Sequence, residues 1–174
     1  EFSASPRFSV KEQLRRGKEL LASKWSGYRY IAYFQAYTNT YAPVPVLRRW
    51  FCEALSDPEV AILSVATRPD CLSEEILDLL SELNREKPVW VELGLQTSWD
   101  ETAEAFGRGY PRSRYEEAVA NLRSRGLPVI THLIFGLPGE TEEQFLDTLS
   151  IVEEVGYDSA FTFFYSPPTG TVAA

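Results

Sequence analysis

The chain has 174 residues, 44% of them apolar, and a formal charge of −8, enough for one compact domain that buries roughly 70% of its unfolded surface. No run of about 18 apolar residues occurs, and Glu1-Phe2-Ser3-Ala4 has no leader pattern, so the expectation is a cytoplasmic protein with no membrane partner. The acidic balance argues against a broad phosphate-binding surface.

In chain order, Ser9-x-x-Glu12 fits a capping box and opens a predicted helix over 9–24, with Lys11, Arg15, Arg16 and Lys18 as a solvated basic face. A β-branched and aromatic run over 28–36 reads as a strand that ends in Gln35-Ala36-Tyr37-Thr38-Asn39-Thr40. A helix over 44–56 follows, then a strand over 60–66 that ends in Thr67-Arg68-Pro69-Asp70. The next pair is a helix over 73–86 and a strand over 89–95 running into Gln96-Thr97. Ser98-x-x-Glu101 and Ser113-x-x-Glu116 open helices over 98–106 and 113–125, and Gly126 offers a left-handed stop. A strand over 129–135 meets Gly136-Leu137-Pro138-Gly139-Glu140, and Thr141-x-x-Gln144 opens a helix over 141–155 that closes at Gly156. The last strand signal is 160–165, before Ser166-Pro167-Pro168.

Alternating strands and helices imply an α/β fold, and strands this short and apolar read as buried on both faces of a parallel sheet. A doubly wound sheet needs special chemistry at one switch point, whereas a barrel gathers all its C-terminal strand ends around one mouth. Here all five strand ends are polar or turn-forming. Five strands do not close an eight-stranded barrel, so the expectation is an open, partial TIM-type barrel forming a single domain over 1–174.

Glu92, Gly94 and Gln96 share a parity and hence one face of their strand. A carboxylate there needs a partner. One reading is an ion pair with Arg68 that fixes register, the other a group holding a polar ligand over the mouth. Gln35, Tyr37 and Asn39 also share a parity, and with Thr38 and Thr40 they suit a zwitterionic or sugar-bearing ligand, although a ligand-free loop would use the same residues. His132, the single histidine, reads as a satisfied core residue among apolar neighbours. Gly136, Gly139 and the helix starting at Thr141 could take an anionic group. Cys52 and Cys71 are the two cysteines. They form neither a metal-binding pair nor a disulfide framework, and read as free buried thiols. Methionine is absent, even at position 1, as expected of a fragment, a processed chain or a redesign.

Four strings carry a resemblance. Tyr33-Phe34-Gln35-Ala36-Tyr37-Thr38-Asn39-Thr40-Tyr41, Thr67-Arg68-Pro69-Asp70-Cys71-Leu72, Trp90-Val91-Glu92-Leu93-Gly94-Leu95-Gln96-Thr97 and Gly136-Leu137-Pro138-Gly139-Glu140-Thr141 resemble the radical S-adenosylmethionine (SAM) superfamily, most of all a bacterial branch related to the elongator catalytic subunit. Residues 158–167 look more like tRNA methylthiotransferases. The resemblance implies a partial (β/α)6 barrel in which a [4Fe-4S] cluster reductively cleaves SAM to a 5′-deoxyadenosyl radical. It places Gln35, Tyr37, Thr38 and Asn39 at the methionine end of SAM, Thr67, Arg68, Glu92 and Gln96 around methionine and ribose, and Ile134, Gly136 and Tyr165 beside adenine.

The departures also count. No C-x-x-x-C-x-x-C string is present, Glu1–Pro6 is similar to the stretch just after that loop, and His132 stands at the first glycine of the family's G-x-I-x-G-x-x-E pattern. The leading expectation is a radical SAM core truncated after the cluster loop, inactive by itself, with an unknown substrate for which RNA is one candidate. The alternatives are a non-catalytic scaffold or interaction domain that dimerises through an open edge at the 28–36 strand, and a cluster-independent barrel enzyme with Glu92 or Glu140 as general base.

Overall fold

The computed structural model describes residues 8–22, 29–137, 139–157 and 159–162. The elements run α1 (Val10–Ala22), β1 (Tyr30–Phe34), α2 (Val44–Leu55), β2 (Val60–Thr67), α3 (Glu74–Asn84), β3 (Val89–Gln96), α4 (Asp100–Ala105), α5 (Arg112–Ser124), β4 (Val129–Leu133) and α6 (Glu142–Val155). A single 3-10 turn, Pro69–Cys71, lies between β2 and α3. The strands form one parallel sheet in the order β1-β2-β3-β4. Four strands are present among the described residues. The fifth strand signal falls mostly outside them, and Ala160–Thr162 carries no regular structure.

Strand parity sorts the residues. Phe34, Leu63, Val65, Val89, Val91, Leu93 and Leu95 face the helices and meet Leu47, Phe51, Leu77, Leu80, Leu83 and Leu122 in one core. At about 25 cal/mol per Å² of apolar surface removed from water, this interface supplies most of the driving force. The other parity faces away from the helices. There Ile31 and Tyr33 are 48% and 43% exposed, so the strands are not buried on both faces as their composition suggests. The apolar run encodes one dry face and one half-open inner face.

Helix termini show which local signals hold. Thr141 makes the full capping box: its hydroxyl accepts from the Gln144 amide while the Gln144 side chain accepts from the Thr141 amide. Ser9 makes half of one, accepting from the Glu12 amide at 3.2 Å. The two middle boxes do not form. Helix α4 starts after Trp99, while the Ser98 hydroxyl bonds Thr148 of α6 at 3.0 Å. Helix α5 starts one residue early, after Pro111, and its Arg112 amide donates to the Asp100 carboxylate at 2.7 Å. A tertiary partner has replaced each local cap. Gly126 and Gly156 take the expected left-handed conformation, with φ 69° and 59°. Cys52 is exposed and Cys71 is half-buried, so neither thiol is the buried one expected.

Candidate functional site

Each of the other three strands places one side chain around Glu92 of β3 on the inner face. The Glu92 carboxylate accepts from the Tyr33 hydroxyl of β1 at 2.8 Å and from the Ser64 hydroxyl of β2. His132 Nε2 of β4 lies 2.8 Å from the same oxygen as Tyr33. Glu92 is 8% exposed and Ser64 1%, whereas the His132 side chain is 51% exposed. Arg68 is not the partner of Glu92. Its guanidinium forms a two-pronged pair with Asp70 at 2.8 and 2.9 Å and donates to the Arg108 carbonyl. Nor is His132 a core residue: it follows the inner-face parity and stands in the open.

The charges of the cluster follow from these contacts. Burial works to raise the Glu92 carboxyl, but hydrogen bonds from His132, Ser64 and Tyr33 outweigh it and hold the group below the usual glutamate value. The Glu92 contact raises His132 against the opposing effect of burial. Burial, then the adjacent carboxylate, pushes the Tyr33 phenol up to about 12. At neutral pH Tyr33 is therefore a neutral donor and Glu92 an anion.

Above this cluster, Gln96 occupies a left-handed backbone conformation, φ 61°. Its side chain turns back across Gly94, where an added Cβ would meet Gln96 Nε2 at 1.9 Å. Only glycine leaves room for that amide. Behind it, Arg108 is 1% exposed at its side chain and ties the loop together. It donates to the carbonyls of Leu95, Thr97 and Tyr110 at 2.8, 2.9 and 2.9 Å and to the Asp100 carboxylate at 2.5 Å. The Tyr110 hydroxyl donates to the Gly94 carbonyl at 2.7 Å.

The loop after β1 is braced from within. Asn39 Nδ2 donates to the carbonyls of Phe34 and Ala66, both at 2.8 Å, and the Thr40 and Thr67 hydroxyls share a bond of 2.6 Å. Tyr37 is 98% exposed with φ 64°, Gln35 is exposed and Thr38 half-buried. At the end of β4, Ile134 is 46% exposed. The amides of Gly136 and Leu137 donate to Glu140 Oε2 at 2.7 and 3.2 Å. With α6 also capped by its own box, the anion site expected at this turn is filled by the chain itself. Tyr165 lies outside the described residues.

The structure thus gathers Glu92 and Gln96 on one face and sets Asn39, Thr67 and Arg68 to holding the loops. Sequence reasoning passed over Tyr33, Ser64 and Arg108. Parity could have found the first two, because a lone serine in an apolar strand and a tyrosine two residues before Gln35 both fall on the Glu92 face. Among the described residues no group of three or more His, Cys, Asp or Glu could hold a metal ion. No helix among them is long and apolar enough to cross a membrane.

The chain is 44% identical over 151 residues to Protein YhcC of Escherichia coli (strain K12), covering 86% of this chain and 48% of that protein. It is 42% identical over 112 residues to the tRNA-2-methylthio-N(6)-dimethylallyladenosine synthase of Moorella thermoacetica, covering 63% of this chain and 25% of that protein. The chain spans about half the length of the first of these relatives, and less of the second. In structure it is similar to the Elp3 of Methanocaldococcus infernus, with a TM-score of 0.69 over 83% of this chain and 38% of that one, at 20% identity. That likeness shows the fold, an open part of a TIM-type barrel. The Radical SAM superfamily model matches residues 2–152, and the chain belongs to that superfamily.

Proposed function

We propose that these residues are the SAM-holding part of a radical SAM enzyme, and that the 174 residues by themselves do not cleave SAM. The observation that carries the first half is the inner face, where half-buried Gln96 lies across Gly94 at the C-terminal ends of parallel strands and exposed Gln35 and Tyr37 stand on the loop after β1, as a polar sugar-bearing ligand needs. Gln35, Tyr37 and Thr38 are the open groups for the methionine end, Gln96 for the ribose side, and Ile134 with Gly136 for adenine, while Glu92 lies buried beneath them with its oxygens taken by Tyr33, Ser64 and His132. Asn39, Thr67 and Arg68 act by shaping the loops.

The cysteines carry the second half. Cys52 sits on α2 and Cys71 in the turn after β2, and two scattered thiols do not fit a cluster that takes thiolate ligands. When bound, a cluster supplies the electron that cleaves SAM and anchors its amino and carboxylate groups. Without that anchor SAM binds weakly. For substrate, the synthase relative carries tRNA in its name, while the charge of −8 gives this chain no broad basic surface; RNA recognition would have to come from other parts of such a protein.

Anaerobic iron and sulfide reconstitution, with metal analysis and SAM calorimetry, tests both halves. The expected result is no stoichiometric iron and weak but saturable SAM binding, reduced further in Gln96→Ala. A stably assembled cluster with SAM cleavage under dithionite would sink the second half. Absence of SAM binding at millimolar concentration would sink the first.

A further inference from the structure

His132 and Glu92 form a dyad whose geometry SAM binding does not require. The Glu92 carboxylate is an acceptor only, so the hydrogen between it and His132 Nε2 sits on the nitrogen. That fixes the neutral tautomer, with its lone pair on Nδ1. Nδ1 has no hydrogen-bond partner among the described residues, and the ring is half-exposed on the inner face. The Tyr33 and Ser64 hydroxyls complete the shell of the carboxylate, so the dyad is held from β1, β2, β3 and β4 at once. A histidine fixed through one nitrogen by a buried, fully bonded carboxylate, with the other nitrogen open, is the arrangement a general acid or base needs.

We propose that His132 is an acid–base catalytic residue for the substrate, with Nδ1 as its proton-transfer atom and Glu92 as its positioning partner. The substrate it fits carries an sp² oxygen or a ring nitrogen that takes up a proton during the reaction. In that step His132 starts as the imidazolium, with a proton on Nδ1 as well as on Nε2; the Nδ1–H bond breaks and the new bond to hydrogen forms at the substrate atom, leaving the neutral Nε2–H imidazole. The electron pair of the old bond stays on Nδ1, Glu92 remains ionised, and bulk water returns the proton through the exposed ring edge. No oxidant or reductant enters. Glu92 from β3 is the charged group in contact with the ring, and Tyr33 from β1 and Ser64 from β2 reach it only through that carboxylate, so Glu92 is the charge that sets its protonation. The proposal rests on the inner face being the reaction site of a radical SAM enzyme.

The experiment exploits the single histidine of the chain. Nitrogen-edited NMR of the imidazole gives its tautomer and titration midpoint, and acylation by diethyl pyrocarbonate, located by peptide mapping, gives the accessibility of its free nitrogen. Both are run on wild type and Glu92→Gln, with and without S-adenosylhomocysteine. The expected result is an Nε2–H tautomer with a midpoint above that of ordinary histidine, which falls in Glu92→Gln. Tyr33→Phe, which keeps the ring, should move the midpoint in a smaller step. Acylation should run at an undiminished rate when S-adenosylhomocysteine is bound, because His132 faces the substrate. A midpoint indifferent to Glu92→Gln would overturn the dyad. Several-fold protection by S-adenosylhomocysteine would overturn the substrate role and assign His132 to the SAM pocket. Failure of S-adenosylhomocysteine to bind at all would remove the SAM reading and the proposal with it, and is told apart because the Glu92 dependence of the titration survives.

Discussion

The two faces of β2 and β3 are written by alternate residues of the same strands, yet they behave as different materials. On the helix side Leu63, Val65, Val89, Val91, Leu93 and Leu95 are at most 1% exposed. On the inner side Ser64, Glu92, Gly94 and Gln96 carry hydroxyl, carboxylate, bare backbone and amide. The first face supplies stability without chemistry. The second carries the chemistry and contributes less stability, since each polar group there needs a partner from a neighbouring strand. A parallel sheet can separate the two because its side-chain period is 2, and a one-residue slip would exchange them.

The strongest way to break this comparison is to damage the dry face alone. Phe51 is fully buried and meets Phe34 edge-on, with ring centroids 5.1 Å apart. Phe51→Ala should cost about 3–5 kcal/mol, measured by urea unfolding, and leave the His132 titration midpoint of the surviving folded fraction unchanged. A shifted midpoint would show that the faces are coupled. Next in size is Arg108→Ala, which leaves the carbonyls of Leu95, Thr97 and Tyr110 without their buried donor and should cost about 1–3 kcal/mol. Unlike Phe51→Ala, it should also weaken SAM binding, because the clasp on both sides of Gln96 is lost.

The dry face was legible in the sequence and the inner face only in outline. Alternating element order, the positions of the first four strands and the left-handed stops at Gly126 and Gly156 follow from local physics, and the structure has them. The false caps at Ser98 and Ser113 show where local reasoning fails. Both serines satisfy the pattern, but Thr148 lies 50 residues on, and the Asp100 carboxylate reaches the Arg112 amide from another helix. A pattern four residues long has no access to such partners. The sequence shows that Glu92 needs a partner, and parity limits the candidates to its own face. Of the two readings of Glu92, the ion pair with Arg68 ignores that limit, since Arg68 lies beyond the end of β2, where Asp70 two residues away satisfies it first.

A pH series sharpens the inner side. Glu92 is held below its unfolded value of 4.5, so its contribution is complete above that pH and is lost as pH falls through the folded value. His132 is raised above its unfolded value of 6.5, so its contribution is complete below that pH and is lost as pH rises through the folded value. The pair therefore stabilises most between pH 4.5 and 6.5 and weakens on either side. Glu92→Gln should cost about 1 kcal/mol within that window and flatten the difference between pH 6 and 9 in denaturant midpoints. An unaltered profile would mean that the pair is not formed in solution.

The smallest expected effect concerns Gln96, where the two demands meet in one residue. Its φ of 61° is a conformation that a side chain with a Cβ adopts at a cost of about 1 kcal/mol, and its longest-range side-chain contact, with the Tyr110 hydroxyl at 3.5 Å, is too long to repay much of that. Gln96→Gly relieves the backbone but loosens the unfolded chain, so the net gain in stability should be a few tenths to about 1 kcal/mol. The same substitution removes the amide from above Gly94 and should weaken SAM binding. Gln96→Ala keeps the strain and loses the amide as well, so it separates the two effects: binding should fall as in the glycine variant, with no gain in stability. If both variants destabilise the fold, the left-handed residue is there for packing, and the inner face is less separate from the dry one than parity suggests.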